Sequence, residues 1–275
     1  DLVRSRGLGD VYKRQSLFVA MLLLLSSCGS VPLTGRKQVL LVSDQEVLSS
    51  SLTQYSDYMK SAKKSSSKDG AAMVTRVGKK IAAATEQYLR NNGLESEIKN
   101  FAWEFNLVND PQVNAFCMPG GKIVVYEGLM QLVSSDDELA VVVGHEVAHA
   151  VAKHSNERMS QQLMAQYGAQ ILGQALSNKS AAVQKIGASV YGLGAQYGVM
   201  LPFSRKHESE ADYMGLVFMA MAGYNPAVAV NFWQKMSAGK SGSTPEFMST
   251  HPSDATRINE IKQHLPEIEK YRVKK

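Results

Sequence analysis

The chain has 275 residues, 44% of them hydrophobic and 20% charged, enough to bury a substantial core in one large domain or two small ones. That balance excludes a disordered protein. The formal charge of +5 comes from Lys and Arg scattered in short runs such as Lys63-Lys64, Lys79-Lys80 and Lys274-Lys275, so there is no stripe suited to a phosphate backbone, and no nucleic-acid partner is expected.

The first segment reads as an address, not as fold. Asp1 to about Tyr12 resemble translated adapter sequence and are set aside. Lys13-Arg14 precede nine apolar residues, Leu17 to Leu25, a run too short to span a bilayer as a helix. The expectation for residues 1–27 is therefore a leader plus signal peptide. Leu25-Ser26-Ser27-Cys28 resembles a bacterial lipobox, which makes Cys28 a lipid anchor and implies attachment to a membrane of the bacterial cell envelope, the outer membrane, facing the periplasm. Cys117 is the only other cysteine, so an acylated Cys28 leaves no internal disulfide.

Residues 28–37 read as anchor and tether, and residues 38–275 as one folded domain. Val47, Leu52, Tyr55 and Met59, then Met73, Val77, Ile81 and Tyr88, recur at helical spacing and predict helices over 44–64 and 71–92, the second stopped by Asn91-Asn92-Gly93. Phe101 to Val108 alternate, Asn109-Asp110-Pro111 turn, Val113 to Cys117 extend, Pro119-Gly120-Gly121 turn, and Ile123 to Tyr126 extend again, which predicts a small β-meander. From Ser135 the pattern is helical almost to the end, with Ser135 and Glu138 spaced as a capping box. The uncharged stretch Ile186 to Ser204 is interrupted by glycines and Pro202 and predicts a buried helix, not a membrane span. The expected class is α+β, mainly helical.

The chemistry concentrates in His145-Glu146-Val147-Ala148-His149. On a helix the two histidines lie about 40° apart around the axis, so both imidazoles reach one ion, while Glu146, about 100° from His145, touches a metal-bound water without becoming a ligand. Leu139 to Gly144 and Val147 to Val151 are almost wholly apolar, so this helix is buried, and a buried His-Glu-His cluster demands a partner. A catalytic zinc needs a third protein ligand and an open position. Glu208 and Asp212, again four apart, are the economical candidates: Glu208 as ligand, Asp212 accepting a hydrogen bond from a ligand histidine. Glu210 points elsewhere, and His154 and His207 are rival ligands.

The sequence resembles the HtpX and CAAX-prenyl-protease type of zinc metallopeptidase, and within it the small bacterial envelope lipoproteins. Four stretches carry the resemblance: Asn114-Ala115-Phe116 through Pro119-Gly120-Gly121, His145 to His149, Ser204-Arg205 through Glu208 to Asp212, and Ser249-Thr250-His251-Pro252 followed by Arg257-Ile258. It implies a zincin-like fold, one zinc on His145, His149 and Glu208, Glu146 as general base, and endopeptidase action on misfolded or outer-membrane proteins of the envelope. Cys117 departs from the small apolar residue expected there. The strand at Asn114, Ala115 and Phe116 is the expected substrate edge. His251 is placed either on the oxyanion or on the zinc's open position. The competing expectation is a non-catalytic chaperone or scaffold of the same fold.

Overall fold

Ser135 opens the helix on which the molecule is organised. Its hydroxyl accepts from the Glu138 backbone N–H, and the Glu138 carboxylate reaches back one residue further than a capping box requires, to the Ser134 N–H. Asp136, Asp137 and Glu138 then place negative charge on the positive end of the helix dipole. The coordinates are a computed structural model that describes residues 28–181, 184–185, 201–238, 247, 251 and 255–273; the expected signal peptide and most of the 186–204 stretch lie outside them.

In chain order the elements are β1 (Cys28–Ser30), β2 (Lys37–Val39), α1 (Asp44–Ser61), α2 (Lys68–Asn91), α3 (Glu95–Ile98), β3 (Glu104–Val108), β4 (Ala115–Met118), β5 (Lys122–Tyr126), α4 (Glu127–Met130), α5 (Asp136–Val151), α6 (His154–Leu176), α7 (Leu201–Met221), α8 (Val228–Ala238) and α9 (Ala255–Ile268). The class is mainly helical with small sheets, as expected. Both N-terminal helices form where the periodicity placed them, α1 with a full Ser43/Glu46 capping box and α2 with Ser67 accepting from Gly70 N–H. Among the described residues no helix is long and apolar enough to cross a membrane.

The three strands are not a meander. Their spatial order is β3-β5-β4, with β5 parallel to β3 and antiparallel to β4. The reason lies in β5, whose five residues are all buried: the most continuous apolar run takes the middle, where both faces are covered, and β4 is displaced to the edge. Gly120 and Gly121, both at positive φ, make the tight return from β4 into β5.

The stretch 28–37, expected as anchor and tether, forms a two-stranded hairpin together with residues 38 and 39. Cys28, Gly29 and Ser30 pair antiparallel with Val39, Gln38 and Lys37. Val31 and Gln38 are buried, and Arg36 reaches carboxylates on two helices, so a stretch whose small and polar residues read as linker is docked on the domain.

α5 and α7 make the most extensive contact in the molecule. They cross where Gly144 meets Gly215: a Cβ added at Gly144 would lie 2.7 Å from the Gly215 carbonyl oxygen, and one at Gly215 would lie 2.7 Å from the His145 nitrogen. Only glycine at both places permits this approach, which carries Glu208 and Asp212 of α7 to the side chains of α5. α2, α8 and the inner face of the sheet close the core around α5 through Val77, Ile81, Ile123, Phe232 and Trp233.

Candidate metal centre

α5 contributes His145, Glu146 and His149, and α7 contributes Glu208 and Asp212; His251 comes from the segment between α8 and α9. Phe247 is pinned beside β4 by its N–H, which donates to the Val113 carbonyl at 3.0 Å, and the His251 N–H donates to the Phe247 carbonyl at 2.8 Å. One donor atom from each of His145, His149, Glu208 and His251 lies within 4.8 Å of every other. His145 Nε2 is 3.0 Å from His149 Nε2, 3.2 Å from Glu208 Oε2 and 3.3 Å from His251 Nδ1, and His149 Nε2 is 3.4 Å from Glu208 Oε1. The rivals stand outside this group: His154 touches only the far nitrogen of His149, at 2.8 Å, and His207 pairs with Glu157 at 3.0 Å.

The donor chemistry fits a divalent cation of the zinc type. His145 Nδ1 lies 2.9 Å from Asp212 Oδ1. Asp212 is held ionised by Arg257, whose Nη2 donates to Oδ1 at 2.8 Å and whose Nε donates to Oδ2, so His145 must donate through Nδ1 and, when neutral, presents a lone pair at Nε2. Lone pairs and a carboxylate converging in a buried space require a positive charge. A proton meets part of that demand: burial pushes His145 down, but its hydrogen bonds to Asp212 and Glu208 outweigh burial and lift it to about 9. In His149 burial wins, and the imidazole sits well below its ordinary value. Burial opposes ionisation of Glu208, yet hydrogen bonds from three histidines drive its carboxyl far below the usual carboxylate range.

Glu146 is buried beside this group, without being one of the four clustered donors. Its Oε2 accepts the Cys117 backbone N–H at 3.1 Å, and its Oε1 is buried with no hydrogen-bond partner, 3.5 Å from His251 Nε2. Burial pushes its carboxyl upward, against the pull of His251 and His145. An orphaned acceptor pointing at a cluster of ligand atoms is the arrangement a metal-bound water would satisfy.

β4 lies along α5 as an edge strand. Asn114 O accepts from Tyr126 N–H at 3.1 Å, so by antiparallel alternation the backbone groups of Ala115 and Cys117 point away from β5, toward the site. The side chains of the expected substrate strand are used otherwise: Asn114 Oδ1 takes the Ala115 N–H at 2.9 Å, and the Phe116 ring packs edge-on against Tyr58 and Tyr126. What β4 offers a substrate is backbone. The Cys117 thiol is pushed well up by burial and by the Glu146 carboxylate. An apolar cavity lined by Val47, Leu48, Phe101, Pro119, Gly120 and His149 opens at the far end of β4.

Residues that spacing did not reveal complete the centre. Trp233 of α8 meets His145 edge-on at 5.5 Å, Phe247 stacks on both Trp233 and His251, and the Arg257 guanidinium lies 4.4 Å over the Trp233 ring. Arg257 was legible only inside the fourth family stretch. Trp233 and Arg36 carried no motif at all, their role being set by packing between elements far apart in sequence.

A helix bearing His-Glu-x-x-His, a glutamate one helix away and an edge strand alongside define a metallopeptidase domain. The chain belongs to peptidase family M48, whose model matches residues 75–265. The mitochondrial metalloendopeptidase OMA1 of Schizosaccharomyces pombe is 36% identical over 205 residues, 71% of this chain and 53% of that protein. OMA1 of Arabidopsis thaliana is 40% identical over 168 residues, 61% of this chain and 33% of that protein. The beta-barrel assembly-enhancing protease of Yersinia pestis is 33% identical over 174 residues, 59% of this chain and 36% of that protein. The chain thus spans about half the length, or less, of these relatives.

The relatives overturn the expected location. Mitochondrial proteins of a fungus and a plant match this chain at the identities just given, against the expectation of a bacterial envelope protein on the periplasmic face of the outer membrane.

Proposed function

We propose that the chain is a zinc-dependent metalloendopeptidase that cleaves extended protein segments, with one zinc held by His145, His149 and Glu208 and with Glu146 as general base. The observation that carries this reading is the convergence of those ligand atoms, 3.0 to 3.4 Å apart, beside the orphaned Oε1 of Glu146. The family match and the metalloendopeptidase names of the relatives support it.

Zinc bound there supplies Lewis acidity toward the scissile carbonyl and lowers the pKa of the attacking water. The chain's own residues do the rest. Glu146 takes the water proton on Oε1 and delivers it to the departing amide nitrogen; the raised pKa that burial gives it suits an acceptor that must also donate. The outward backbone of Ala115 and Cys117 pairs with an extended substrate, which requires the Ala115 N–H to leave Asn114 Oδ1 and the Cys117 N–H to leave Glu146. His251 has two positions in this scheme. With Nδ1 among the clustered donor atoms it would serve as a further ligand in the absence of substrate; with substrate present its imidazole would donate to the developing oxyanion. The apolar cavity beside His149 accepts a hydrophobic substrate side chain. The names of the two OMA1 relatives support a mitochondrial setting.

The test is Glu146→Gln assayed on an unfolded protein such as casein. Cleavage should fall by about 10² to 10⁴-fold, while bound zinc and melting temperature stay at wild-type values. Near-wild-type cleavage, or loss of zinc, contradicts the assignment.

A further inference from the structure

If His149 binds metal through Nε2, its Nδ1 is the atom through which the protein must hold it. Among the described residues no carboxylate meets that atom. Instead Nδ1 lies 2.8 Å from His154 Nδ1, and His154 Nε2 lies 2.9 Å from Glu210 Oε2, with His154 and Glu210 both buried. A carboxylate only accepts, so His154 donates to Glu210 through Nε2 and keeps a lone pair on Nδ1, which accepts the His149 Nδ1–H. The direction of every proton is thus set from the glutamate inward. Glu210 is fixed in turn: the Arg36 Nε donates to the same Oε2 at 2.8 Å, and the Thr34 hydroxyl donates to Oε1. Arg36 forks at the same time onto Glu157, at 2.9 and 2.7 Å, and Glu157 takes the His207 ring. Thr34 and Arg36 lie in the turn between β1 and β2, more than a hundred residues from His149 in sequence.

We propose that His154, Glu210 and Arg36 are positioning residues that hold His149 in its metal-binding tautomer, so that docking of the 28–39 hairpin and metal affinity are coupled. This rests on the zinc centre proposed above. None of the three touches the ligand set except through His149. The coupling is reciprocal: if the docked hairpin raises metal affinity by a given factor, bound metal favours docking by the same factor. A segment at the edge of the domain thereby becomes a control point, since whatever pulls on residues 28–39 loosens one ligand histidine.

The experiment measures zinc affinity by competition with a chelator for wild type, His154→Phe, Glu210→Gln and, as a control, Arg76→Gln, which breaks the exposed Arg76–Asp136 pair between α2 and α5. His154→Phe and Glu210→Gln should bind zinc about 10 to 100-fold more weakly, with the visible spectrum of the cobalt-substituted protein shifted, while the control matches wild type. Amide hydrogen exchange on the wild-type protein provides a second measurement that no folding defect can spoil. Residues 29–39 should exchange about 10 to 100-fold faster when zinc is removed, with little change in α1. Wild-type affinity and cobalt spectrum in folded variants, or hairpin exchange indifferent to zinc, overturns the relay. Absence of zinc from the wild-type protein instead removes the centre on which it rests.

Discussion

His145 and His149 stand one turn apart on α5, yet opposite ends of the chain hold them. Behind His145 is Asp212, fixed by Arg257 of α9 and capped by Trp233; behind His149 is a second histidine, then Glu210, then Arg36 of the N-terminal hairpin. The first support is short, charged and enclosed within the core helices. The second is longer by one imidazole and ends on a surface hairpin. The two histidines of the proposed zinc site are therefore held by different supports, and the longer one reaches the surface.

Asp212→Asn tests the shorter support with the largest expected effect. The amide can present its NH₂ to His145 and disturb the tautomer, so zinc affinity should fall by about 10 to 100-fold while the metal-free fold persists, as read by chelator competition and circular dichroism. Unchanged affinity would mean that His145 needs no partner and that the comparison is empty.

Gly144→Ala acts on both supports at once, because the α5–α7 approach carries Glu208, Glu210 and Asp212 together. A methyl group 2.7 Å from a backbone oxygen must push the helices apart, so thermal denaturation should register a loss of about 1 to 3 kcal/mol. Both histidines should lose metal affinity together; a substitution without effect on melting would show that the helices do not meet there.

The smallest effect separates the hairpin side by pH. Burial opposes ionisation of Glu157, but His207 and Arg36 outweigh it and hold the carboxyl at about 2, below the ordinary 4.5. A depressed carboxyl stabilises the fold fully above about 4.5 and loses that contribution as pH falls toward about 2. The difference in melting temperature between wild type and Glu157→Gln should shrink across that window. A constant difference would remove Glu157 from the ion-pair network.

What was legible in the sequence follows the same division. Local periodicity and capping placed α1, α2 and α5 because those signals lie within a few residues of one another. The clustering of His145 and His149 with Glu208 and Asp212 was legible because helical spacing of four is itself geometry, and α7 brings its pair to α5 as expected. Strand order was not legible: β5 takes the centre because of burial on both faces, a property of neighbours and not of its own turn residues. The hairpin at 28–39 was hidden for a similar reason. Gly29, Pro32 and Gly35 read as linker, whereas what docks the segment is Arg36 between Glu157 and Glu210, carboxylates on two distant helices. Glu210 was expected to point away from the ligand set and does, but what it points at could not be read from helical phase.

The central claim is a single metal held by residues of two crossing helices. Elemental analysis of the purified protein after reconstitution, run beside a His145→Ala/His149→Ala double variant, tests it most directly. One zinc per wild-type chain and none in the folded double variant is the predicted result; no zinc in the wild type, or equal zinc in both, would contradict it.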